Sequence, residues 1–182
     1  MEVEALNTQR LLLRIRTGFR KSNGFRQFLS GRGVVDARAP VARHFAAVGQ
    51  FQAVEMRLPS RGWEQYNRAM GGAEFPFERE GFALTARVVG EHYWYGGEPD
   101  YNRHRERLVL RLSKVRFQPQ FGAETIWDAE GRANARAISG LSFPFSPSLS
   151  LDAGYYYDVR PARQGGNRHV IFTILRIRRA RR

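Results

Sequence analysis

Between Arg107 and Phe117 a leucine returns at every second place, with Leu108, Leu110 and Leu112 on one side and Arg107, Val109 and Arg111 on the other. A period of two belongs to a β-strand, whose successive side chains point to opposite faces. The stretch Arg168 to Arg178 has the same layout, with Val170, Phe172 and Ile174 against His169, Ile171, Thr173, Leu175 and Ile177. Both of its faces carry apolar residues, which predicts a strand with a neighbour on each side. His44 to Leu58, Phe82 to Tyr95 and Tyr155 to Val159 also read as extended. Asn134 to Ser139 returns as a hairpin partner after the turn at Glu130-Gly131. Short strands separated by Gly, Pro and Asp predict a mainly β chain, with sandwich or barrel-like antiparallel sheets. An α+β sheet is the alternative.

One or two short helices complete the expectation. From Thr8 to Phe28, Leu11, Leu12, Ile15 and Phe19 fit a helical stripe, broken by Gly18 and by Ser22-Asn23-Gly24, although Leu11, Leu13 and Ile15 also fit a strand. A clearer helix follows Pro59 and the capping hydroxyl of Ser60, with Trp63, Tyr66 and Met70 on one face and Gly71-Gly72 as its stop. Gly31 to Pro40 reads as a loop. The 182 residues suit a single domain over 1-182, with a possible subdivision into a mixed region at 1-75 and a β-rich region at 76-182.

Charge narrows the partners. Thirty Lys+Arg stand against seventeen Asp+Glu, a formal +13, and Lys21 and Lys114 are the only lysines. An acidic partner follows from that balance, and arginine adds a planar fork that grips phosphates and stacks on rings. The absence of cysteine removes disulfides, thiolate nucleophiles and cysteine-based metal sites. His44, His92, His104 and His169 show no i, i+4 pair, so no metal is expected, and no cofactor motif is present. No apolar run approaches the roughly 18 residues of a membrane helix. The opening MEVEALNTQR lacks a signal-like layout, so no membrane span and a location in the cytoplasm or within an assembled particle are the expectations.

Arginines interleaved with rings mark the candidate site. The stretch from Gly90 to Arg107 brings Tyr93, Trp94 and Tyr95, a glycine turn, then Tyr101, Arg103, Arg105 and Arg107. Rings stack on unpaired bases while guanidinium groups hold phosphates, a mixture suited to single-stranded nucleic acid. Arg176, Arg178, Arg179, Arg181 and Arg182 add a basic tail that neutralises phosphates without reading sequence. The function expected is therefore non-enzymatic nucleic-acid binding, RNA included, as an oligomeric subunit of a nucleoprotein assembly. A structural capsid or tail protein of a virus or phage particle is the alternative. A metal-independent ribonuclease using His92 and His104 as base and acid is the third.

Overall fold

The computed structural model describes residues 1–22, 27–58, 62–96, 99–161 and 166–178. Eleven strands follow one another around a closed barrel: β1 (Glu2–Asn7), β2 (Leu12–Ser22), β3 (Gln27–Ala42), β4 (Phe45–Leu58), β5 (Gly62–Arg79), β6 (Phe82–Tyr95), β7 (Tyr101–Leu112), β8 (Pro119–Asp128), β9 (Gly131–Ser146), β10 (Leu149–Val159) and β11 (Arg168–Ile177). Each strand pairs antiparallel with the next in sequence. With an odd number of alternating strands, the first and last run the same way, so the ring closes through a parallel β1–β11 seam. The registered partners in that seam are Glu2 with Arg176 and Val3 with Ile177.

The mainly β expectation holds, and barrel is the form it takes. Among the described residues the helices do not appear: Leu12–Ser22 is β2 and Gly62–Arg79 is β5, whereas Asn23-Gly24 and the cap at Pro59-Ser60 lie outside the described residues. The spacing of Trp63, Tyr66 and Met70 mimicked a helical stripe, but in the strand Trp63 faces out while Tyr66 and Met70 face in. Gly71-Gly72 does not stop an element either. It lies inside β5, where a Cβ on Gly72 would strike the backbone of Val88 and Val89 on β6. The segment read as a loop at Gly31 to Pro40 belongs to β3. The glycines that do turn the chain are at Gly81 and Gly131, whose φ values of 91° and 106° suit hairpin corners. At the second, the Glu130 amide donates to Asp128 Oδ1 at 3.0 Å. The expected hairpin of Asn134 to Ser139 with the strand before Glu130 is β8–β9, and the last strand does have two neighbours. β5 runs unbroken through the 75/76 boundary.

The barrel's two faces are inverted relative to a water-soluble one. The largest wholly buried side chains are Val89, Asp152 and Asp158, and Glu2, Glu91, Glu124, Gln50, Gln52 and Gln120 are also buried. Apolar side chains occupy the outside instead, with Phe19 78%, Phe145 64% and Ile171 74% exposed. Small aliphatics such as Val34, Val48, Val54, Ile126 and Ile138 fill the interior between the polar groups.

Candidate functional site: the charged lumen

Alternation along each strand puts one set of residues in the lumen. On β7 these are Tyr101, Arg103, Arg105, Arg107 and Arg111, and on β6 they are Arg87, Glu91, Tyr93 and Tyr95. The face that carries the leucines of β7 is the outer one.

Most lumenal carboxylates hold arginines from neighbouring strands. Asp158 accepts from Arg136 Nε in a short ion pair and from Arg168 Nη2 at 2.5 Å. Glu124 takes Arg136 Nη1 at 2.6 Å and Arg105 Nη1 at 3.4 Å. Glu91 takes Arg105 at 2.9 Å, Arg68 at 3.2 Å and the Tyr93 hydroxyl at 2.8 Å. Asp152 forms an ion pair with Arg176 at 2.6 Å and accepts from the Ser142 hydroxyl at 2.7 Å. Arg16 bonds Asp36 at 2.6 Å, and Arg38 bonds Glu74 at 2.7 Å. A buried charge is tolerated when it is paired, and these contacts pair the lumenal carboxylates across strands.

A second group of arginines is left out of this scheme. Among the described residues, Arg87, Arg103, Arg107 and Arg111 form no ion pair within 4 Å. Arg87 and Arg107 are directly opposite each other in the β6–β7 register. The carboxylates beside them, Glu74 on β5 and Glu124 on β8, are taken by Arg38, Arg105 and Arg136. The Nε atoms of Arg87, Arg103 and Arg111 are buried without a hydrogen-bond partner, as are those of the carboxylate-paired Arg68, Arg105 and Arg176. Arg103 lies instead over the rings of Tyr93 and Tyr101, 5.3 and 4.8 Å from their centroids. Arg107 points inward and is surrounded by protein, which lowers its pKa by desolvation, yet it keeps accessible surface, so the lumen has open space at its level.

The sequence-derived site is thus divided between surfaces. Tyr93, Tyr95, Tyr101, Arg103, Arg105, Arg107 and Arg176 face the lumen. Tyr93 stacks on Tyr101 at 4.5 Å and 6°, and Tyr66 from β5 joins the cluster by stacking on Tyr95 at 5.1 Å. Trp94 faces outward, 39% exposed, against His92. Arg178 follows β11, its amide bonded to the Ser148 carbonyl, whereas Arg179, Arg181 and Arg182 lie outside the described residues. His92 and His104 are both on the outer face and each has its own partner: His92 Nδ1 meets Asn102 Oδ1 at 2.8 Å, and His104 Nε2 meets Glu106 at 3.2 Å. Sequence reasoning passed over Arg68, Arg87, Glu91 and Glu124. The i, i+2 series Arg87, Val89, Glu91, Tyr93 was the available sign that they share a face with the tyrosines.

The outside has its own order. All three tryptophans, Trp63, Trp94 and Trp127, face outward at the same end of the barrel, at the start of β5 and the ends of β6 and β8. Tyr155 and Tyr157 on β10 join them there. Phe45, Phe75, Phe77, Phe82, Phe121, Phe143 and Phe145 gather at the opposite end, on β4, β5, β6, β8 and β9. Between the two ends the outer face reads Val35, Ala47, Ala69, Ala73, Ala86, Val88, Leu108, Ala123, Ala137 and Ile171. Glu106 is a charged exception, one step inside the tryptophan end and tied to His104. No helix of the described residues is long and apolar enough to cross a membrane, a criterion that does not apply to strands. No family model matches the chain, and no curated protein matches it either.

Proposed function

We propose that this chain is a membrane-embedded β-barrel whose working surface is the lumen. The observation that carries the reading is the inversion: carboxylates and arginines inside, and an apolar band outside between two aromatic ends. Transmembrane barrels alternate apolar-out and polar-in, with aromatic girdles at both interfaces. Pairing runs all the way round, through a β1–β11 seam registered at Glu2–Arg176 and Val3–Ile177, so most backbone polar groups are satisfied within the sheet, as hydrocarbon requires. β2 to β11 run from 10 to 18 residues, enough for tilted strands to span the roughly 9–11 residues a bilayer requires. A single protein partner would cover one side of such a band, whereas lipid covers the whole circumference. The argument from missing apolar runs addresses helices alone, because a strand meets lipid with only every second residue.

Nucleic-acid binding is supported less well by this arrangement. The tyrosines and arginines assigned to it are inside the ring, and Arg105 and Arg176 are already engaged by carboxylates.

Tryptophan fluorescence in vesicles tests the proposal. With every tryptophan at one girdle, lipids brominated close to the headgroup should quench emission strongly and lipids brominated near the chain ends only weakly. A protein that stays in the aqueous fraction, unquenched, would overturn the membrane reading and return nucleic acid to first place.

A further inference from the structure

We infer that the β6–β7 wall of the lumen is a binding site for a soluble, multiply charged oxyanion, with Arg87 and Arg107 at its centre. The inference rests on the membrane reading only in taking the lumen as the functional surface.

Two guanidinium groups directly opposite each other on adjacent strands repel, and like charges in that position destabilise a sheet. Elsewhere in this lumen the same problem is solved with a carboxylate, as where Asp158 takes up Arg136 and Arg168. At Arg87 and Arg107 no carboxylate comes within 4 Å: Glu74 and Glu124, one strand away, attract them from a distance but are held by other arginines. What is missing there is a bidentate acceptor, and phosphate or carboxylate groups match the guanidinium fork in that way. Arg103 and Arg111 extend the unpaired positive charge along β7 in both directions. An elongated anion can therefore meet several forks without displacing an internal ion pair. The open space at Arg107 leaves room for it. A lipid headgroup is the wrong source, since these side chains point away from the outer face. A small solute entering the lumen fits the position.

The experiment uses the folded full chain in whichever medium keeps it folded, detergent micelles or buffer. Its probes are inorganic pyrophosphate and citrate, compared with sodium chloride at equal ionic strength. Saturable binding by calorimetry, with a rise in melting temperature that chloride does not reproduce, is the expected result. The Arg87→Gln/Arg107→Gln double variant should bind at least about tenfold more weakly, since each charge-assisted contact contributes more than a neutral one. Without anion it should melt no lower than the wild type, because it has lost a repulsion rather than a bond. Arg79→Gln, beyond the lumenal band, should bind as the wild type does. If neither probe stabilises the protein beyond chloride, or the double variant binds as tightly as the wild type, the site does not exist. That outcome leaves the quenching result untouched, so the two proposals fail separately.

Discussion

The wall formed by β8 to β11 and the wall formed by β6 and β7 are built from the same residue types and use them in opposite ways. In the first, the arginines bind carboxylates of neighbouring strands: Arg136 joins Glu124 to Asp158, Arg168 pairs with Asp158, and Arg176 joins Asp152 to Glu2 across the seam. Those arginines act as cross-braces. In the second, Arg105 is braced by Glu91 and Glu124, but Arg87 and Arg107 are paired opposite each other with their nearest acids occupied, and Arg103 rests on tyrosine rings. The difference shows that a lumenal arginine is structural or available according to the adjoining strand and not according to its own.

The sharpest way to break the comparison is to remove an acid from the braced wall. Asp158→Asn leaves Arg168 without its buried counter-charge and takes one of the two from Arg136, and the folded state should lose about 3–5 kcal/mol, read from denaturant unfolding. A loss below 1 kcal/mol would mean the braces are no stronger than surface pairs. Packing on the same wall is the next test. Gly154 lies under the ring of Phe172, and a Cβ there would collide with that ring and meet the Ser139 carbonyl at 2.8 Å. Gly154→Ala should therefore cost about 1–3 kcal/mol in the same measurement. The smallest effect has the opposite sign. Arg87→Gln relieves repulsion on the unbraced wall and should gain about 0.2–1 kcal/mol, visible as a rise of a few degrees at most in the melting temperature. A drop in stability there would show that Arg87 is braced after all.

How far the molecule was legible follows from particular residues. The leucines of β7 revealed a strand and its two faces, and the series in β11 revealed a strand with two neighbours. Periodicity names faces without saying which one turns inward. The habit of placing leucine inside fails here because Leu108 and Leu110 lie on the outer surface, while Arg107 and Arg111 line the lumen. Tyr93, Trp94 and Tyr95 read as one stacking platform, yet adjacent strand residues point to opposite sides, so Trp94 was bound to part from its neighbours. Tyr66 joins the tyrosine cluster from another strand, and Glu74 is bonded by Arg38 from two strands away. Contacts of that kind depend on register, which no local pattern encodes. In β5 the aromatic and methionine spacing suited a helix, and the pairing with β4 and β6 overrode it.

The parallel seam has a consequence for the order of assembly. Ten of the barrel's pairings join strands consecutive in sequence and can form as a growing meander, each closing only a short loop. The eleventh joins Glu2 to Arg176, and its loop is nearly the whole chain, so its entropic cost is the largest in the molecule while its registered contacts are the fewest. Until that step the sheet is a curled ribbon with two bare edges, β1 and β11, open to pairing with another copy. The Arg176 contacts to Glu2 and Asp152 then act as a latch, turning a ribbon that could polymerise into a ring that cannot.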